Sequence, residues 1–227
     1  MNGRMTKRLL TIGMLAGPLV LLVGLTLAMT REGFELQRHG SSMLALGEHG
    51  WLQTLNFCIT GLLTTALALG IGRALRGQPG GRWVAWLLGA FALMHILVAL
   101  FPTDPAFGFP PDPGTPPGAP LTDDASFHAI VHSLAGFTGF NALAIACFIL
   151  AWHFARKSLF WCALSVLTAA AIIMIDIYAM RWELAHAGPE RASAQFNFLP
   201  MWVLLPLIWG YLSGLAWVMK RRLEVVQ

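Results

Sequence analysis

Charge is what this chain has least of: Asp, Glu, Lys and Arg make up only 11% of its 227 positions. A water-soluble domain carries roughly 25% charged residues, because water must solvate its surface. With 56% hydrophobic residues and a mean hydropathy of +0.64, the shortage points to lipid as the main solvent. Cysteine is equally sparse. Cys58, Cys147 and Cys162 all fall in apolar runs and form no CxxC, which argues against a disulfide framework or thiolate metal site. There is no P-loop, dinucleotide-binding glycine fingerprint, GxSxG elbow or CxxCH motif, so nucleotide, flavin and covalent haem chemistry find no support. The formal charge of +4 does not imply a nucleic-acid partner, since basic excess in a membrane protein usually marks cytoplasmic loops.

What is present is a series of apolar runs near the ~20 residues that cross a bilayer core of ~30 Å. Six are predicted, near 9–29, 51–72, 83–101, 127–154, 158–180 and 199–219. Lipid offers nothing to bond backbone N–H and C=O groups, so each must be a helix. The expected fold is an all-α membrane protein, a single six-transmembrane-helix bundle. Of 15 basic residues, 11 fall on one side of these spans, around Arg4–Arg8, Arg73–Arg82, Arg156–Lys157 and Lys220–Arg222. Arg31, Arg38, Arg181 and Arg191 fall on the other, with most of the acidic residues, Asp123 among them. Positive charge resists translocation, so both the N- and C-termini are expected to be cytoplasmic, with the cytoplasmic (inner) membrane as the expected location. The first span is read as a retained helix, because its apolar run is longer than the ~7–15 residues of a signal peptide. Trp51, Trp182 and Trp202 at one set of ends, and Trp83, Trp86, Trp152, Trp161 and Trp217 at the other, suit interfacial belts. Pro18 and Pro206 predict kinks, and the proline-rich loop 102–126 predicts an extended connection.

Polar side chains inside spans are costly and therefore informative. Gln53, Asn56, Thr60 and Thr64 make one stripe on the second span; His95 lies on the third, His128 and His132 open the fourth, and Asp176 and Arg181 close the fifth. At ~1.5 Å per residue, Asn56, His95, His132 and Asp176 each lie roughly 6–10 Å below the outer boundary. Polar groups thus converge on the outer leaflet. His128 and His132, four residues apart, are the pair able to chelate a divalent metal such as zinc, with a further ligand from Asp104, Asp176 or His95. Taken singly, Gln53 and Asn56 read as interhelical hydrogen-bond glue, His95 as a packing histidine, Asp176 as a partner of Arg181, and Asp104 as a turn cap.

The run REGFELQRHGSSMLALGEHGWLQTLNFCITGLL, then FPTDP, then HAIVH opening a helix, resembles the bacterial membrane family known as domain of unknown function 998. The resemblance spans essentially the whole chain and implies six helices in this motif order. Arg31, Glu35, Ser42, Leu46 and Gly47 fit its first-loop element, followed by Gly50, Trp51, Asn56 and Gly61; Glu35 stands where the pattern expects Asp, and FNFLPMW departs from the expected entrance to the last helix.

Two functional expectations follow. One is a lipid-directed hydrolase or transferase of the outer leaflet, with catalytic His128, His132, Asp104 and Asp176, metal held by His128 and His132, and Arg31, Gln53, Asn56, His95 and Arg181 binding substrate. The other is a non-catalytic module binding a lipid or a membrane partner protein. A proton-coupled carrier ranks below both, because no midplane ion site or internal repeat is visible.

Overall fold

The computed structural model describes residues 3–119 and 124–225; Asp123 and part of the proline-rich loop lie outside them. Among the described residues there are helices, turns and one isolated bridge, and no strand. Six spans are long and apolar enough to cross a membrane. The first comprises α1 (Gly3–Gly13) and α2 (Ala16–Thr30); the others are α3 (Gly50–Ala74), α4 (Gly81–Leu100), α5 (Phe127–Phe154), α6 (Leu159–Ala185) and α7 (Leu199–Val225). This is a multi-pass membrane protein. Six crossings return both termini to the same end of the bundle, called here the terminal end, and place the three longer connections at the far end.

Several helices run past the expected bounds. α6 continues to Ala185, so Arg181, Trp182 and Glu183 are still helical, and α7 carries Lys220, Arg221 and Arg222 in its last turns. Cations suit a helix C-terminus, where the backbone dipole is negative, so charge need not end a helix that leaves the apolar layer.

Pro18 acts one turn upstream of itself. It has no N–H to give the carbonyl of Met14, and the first span breaks between Gly13 and Ala16. The freed carbonyl is taken by Ser213 Oγ of α7, which donates to it at 3.2 Å. Pro206 produces no comparable break, and α7 is one helix throughout.

The polar stripe on α3 faces inward: Gln53, Asn56, Thr60 and Thr64 are all buried. Asn56 Nδ2 donates to Gln53 Oε1 at 3.0 Å and to the Val20 carbonyl at 3.4 Å, and Gln53 Nε2 donates to the Ser41 carbonyl at 3.2 Å. For Asn56 this is the glue reading of the sequence.

At the far end the connections interlock into a cap. The proline-rich segment is not extended as expected. Phe107 and Gly108 both adopt positive φ (55° and 80°), which turns the chain back so that their N–H groups meet the Gly118 and Pro116 carbonyls at 2.9 and 2.8 Å. Phe107 and Phe109 are thereby buried against Met43, Leu46 and Phe196. Arg38 joins all three connections, donating to the Phe107 carbonyl at 3.1 Å and to Gln195 Oε1 at 3.2 Å, while Gln195 Nε2 reaches the Pro117 carbonyl at 2.6 Å. Buried His39 and half-buried Trp202 complete the cap, the indole donating to the His39 carbonyl at 2.8 Å.

Candidate functional site

Beneath this cap the helices do not close. α6 and α7 touch toward the terminal end, where Ser165 Oγ and Tyr211 Oη lie 2.8 Å apart and Trp161 packs beside Tyr211. Toward the far end α6 meets the segment before α7 instead: Tyr178 Oη donates to the Asn197 carbonyl and Trp182 Nε1 to the Gln195 carbonyl. Only 22% of the most apolar stretch of α6 is buried, against 39–50% in the other spans, and its buried positions stop at Ile172. The resulting wedge is a partly open cavity of about 850 Å³, within the size range of small-molecule and cofactor sites.

Gln53, His95, Asp104, His132 and Asp176 all line it. Five of the polar side chains singled out in the sequence thus share one cavity. Most of the remaining wall is apolar, including Val20, Leu25, Met94, Phe137, Ile172 and Trp209. Two lining glycines keep it open. An added Cβ at buried Gly24 of α2 or at Gly136 of α5 would meet nothing within 4 Å.

The lining groups are also held by structural bonds. His95 is only 5% exposed and sits among the rings of Phe57, Phe91 and Trp209, with centroids 4.9–6.2 Å away. Its Nδ1 lies 3.0 Å from the Phe91 carbonyl one turn back. His132 Nδ1 lies 2.9 Å from the carbonyl of Phe101, which caps the C-terminus of α4 and has no helical partner of its own. A carbonyl only accepts, so in each ring Nδ1 carries the proton, and the uncharged imidazole presents Nε2 as an acceptor. Neither Nε2 has a partner among the described residues. Asp176 Oδ2 accepts from Asn141 Nδ2 at 2.8 Å, and its Oδ1 has no partner among them.

Asp104 does more than cap a turn. It accepts from both the backbone and the hydroxyl of Ser126, the N-cap of α5, while lining the cavity. Glu183 and Arg191, which the sequence reading did not single out, form a bidentate ion pair at the wall, with the guanidinium over the Trp182 ring at 5.2 Å. Their weak sequence signal was an acidic residue near the end of α6 and a basic residue further on, within the connection before α7.

The other expected site residues lie elsewhere. His128 is exposed beside the Phe101 ring and does not line the cavity, although one turn from His132. Arg181 is exposed and makes no ion pair with Asp176. Arg31 donates to the carbonyls of Leu44 and Leu46 at 3.1 and 2.7 Å and lies over the Phe109 ring, so it ties the cap rather than facing the cavity. Asn56 is buried behind Gln53. Among the described residues, no three His, Cys, Asp or Glu side chains are grouped to hold one metal ion.

No curated protein and no solved structure matches the chain significantly. Residues 14–219 match the family described as Protein of unknown function (DUF998). The chain belongs to that family.

Proposed function

We propose that this DUF998 protein binds a membrane lipid, taking its head and the first part of its acyl chains into the cavity beneath the cap. The observation that carries this reading is the cavity itself: about 850 Å³, mostly apolar in its walls, with His95, His132 and Asp176 offering polar atoms that have no partner among the described residues. An amphiphile suits such a lining, because its chains cover the apolar wall while its head meets the acceptors. The bilayer supplies that ligand at high local concentration. The bias of 11 basic residues toward the terminal end supports a cytoplasmic location for that end and so draws the ligand from the opposite leaflet.

Of the two sequence-level expectations, the binding module is the better supported. The groups assigned to catalysis are divided between the cavity and its outside, and Asp104 is committed to Ser126. A hydrolase or transferase working on the bound lipid would rest on His132 and Asp176, and breakdown of that lipid on incubation is its readout.

The test is native mass spectrometry of the protein extracted in native lipid discs. The expected result is one retained lipid per chain, lost in Gly24→Leu and Gly136→Leu, which add bulk to the cavity at positions where a Cβ meets nothing within 4 Å. Absence of any retained lipid, or retention unchanged in both variants, overturns the proposal.

A further inference from the structure

The charge of the lining narrows the kind of lipid, an inference that rests on the lipid-binding reading. Among the described residues, the cavity wall carries three carboxylates, Asp104, Asp176 and Glu183, and one guanidinium, that of Arg191. Both guanidinium nitrogens that face Glu183 are bonded to its two oxygens. Asp104 is similarly engaged by Ser126. What remains for a ligand is Asp176 Oδ1, the Nε2 atoms of His95 and His132, and the wall hydroxyls of Ser41, Ser42, Thr103 and Ser133. In the uncharged form of both rings the first three are acceptors, and each hydroxyl can donate or accept. His95 is only 5% exposed, so its Nε2 is an acceptor held within the fold that no described residue bonds.

A phosphate fits this lining badly. It brings negative charge to a wall that already carries three carboxylates against one guanidinium, and that guanidinium is paired with Glu183. Ammonium groups would suit Asp176, but in the common bilayer phospholipids they are tethered to a phosphodiester. A hydroxyl supplies a donor without that charge. We infer that the occupant is an uncharged, hydroxyl-bearing lipid of the diacylglycerol class, its single free hydroxyl donating to one of the His95, His132 and Asp176 acceptors and its acyl chains lying along the apolar wall.

Diacylglycerol and phosphatidic acid with the same chains differ only in a hydroxyl against a phosphate, which makes them the decisive pair. Binding of each to purified, delipidated protein is measured by native mass spectrometry. Diacylglycerol is expected to bind at least about tenfold more tightly, and the near-isosteric Asp176→Asn to reduce that ratio to below about threefold. His95→Leu is expected to weaken diacylglycerol binding, and its thermal stability shows whether the fold is retained. Equal or tighter binding of phosphatidic acid, or a ratio unchanged in Asp176→Asn, overturns the headgroup inference while leaving lipid binding in place. If neither lipid binds and none is retained on extraction, both readings fail.

Discussion

Asp104 holds Ser126 with both carboxylate oxygens, Oδ2 taking its backbone N–H at 2.9 Å and Oδ1 its hydroxyl at 2.5 Å. Ser126 Oγ in turn accepts from the Ala129 N–H at 3.1 Å, so a single acid beyond the end of α4 orders the first turn of α5. Charge-assisted bonds to a helix cap outweigh neutral ones. Asp104→Ala is expected to cost about 2 kcal/mol and Ser126→Ala about 1 kcal/mol. Because the two act through one contact, the double variant should cost less than the sum. Equilibrium unfolding in mixed micelles measures all three, and full additivity would show that the contact does not couple them.

The parts of this architecture that lipid imposes were legible in the sequence. A span must be apolar and helical, and a polar residue within it stands out against that background, which is why Asn56, His95, His132 and Asp176 could be placed at one level before their contacts were known; Asn56 does not line the cavity, and its neighbour Gln53 does. Direction was harder to read. Asp176 and Arg181 are five residues apart, which turns them about 140° from each other around a helix, so their proximity in sequence did not make them partners. Arg31 sits at the expected level, but its bonds go to Leu44 and Leu46, whose carbonyls reach it only through the short 3₁₀ turn Ser41–Ala45. Trp182 and Trp202, expected in an interfacial belt, turn into the cavity wall, whereas Trp51, Trp83, Trp86, Trp152 and Trp217 are exposed as a belt requires. The cap was the least legible part, because burial of Phe107 and Phe109 depends on connections far apart in the chain.

His39 makes the cap sensitive to acid. Its Nδ1 accepts from the Glu35 N–H at 2.8 Å and its Nε2 donates to the Phe107 carbonyl at 3.1 Å, so protonation must break the first bond. Burial lowers its pKa below the usual 6.5; the Phe107 carbonyl raises it, neighbouring Arg38 lowers it further, and Glu35 raises it. With a depressed folded-state pKa, the unfolded chain takes up the proton first. The stabilisation is complete above pH 6.5 and is lost as the pH falls from there through the lower folded value. Melting temperature should therefore drop between pH 7 and pH 5, while His39→Gln should start lower and respond less to pH. An equal slope in the variant would remove His39 as the source.

Orientation can be read by labelling. If the terminal end is cytoplasmic, a cysteine at exposed Ser193, in the connection before α7, is expected to react with an impermeant maleimide in intact cells, and one at Gln78, between α3 and α4, only after permeabilisation. The background for both is a chain with Cys58, Cys147 and Cys162 replaced by alanine. The reverse pattern would put the cavity in the other leaflet.

Ser213 and Pro18 supply a test of how the broken first span is held. The Met14 carbonyl lacks its helical partner because Pro18 has no N–H, and Ser213 Oγ donates to it from α7 at 3.2 Å. Hydrogen bonds between membrane helices average about 0.6 kcal/mol and reach about 1.7 kcal/mol. Ser213→Ala alone should cost an amount in that range, because it leaves the carbonyl in an apolar surround with nothing to bond. Pro18→Ala restores a backbone N–H at the position that could bond Met14 within the helix. In that background the serine is no longer needed, and Ser213→Ala should cost close to nothing. A double-mutant cycle by unfolding in mixed micelles isolates the coupling. A cost for Ser213→Ala that is the same with proline or alanine at position 18 would show that the hydroxyl contributes by packing beside Gly17 rather than by satisfying the carbonyl.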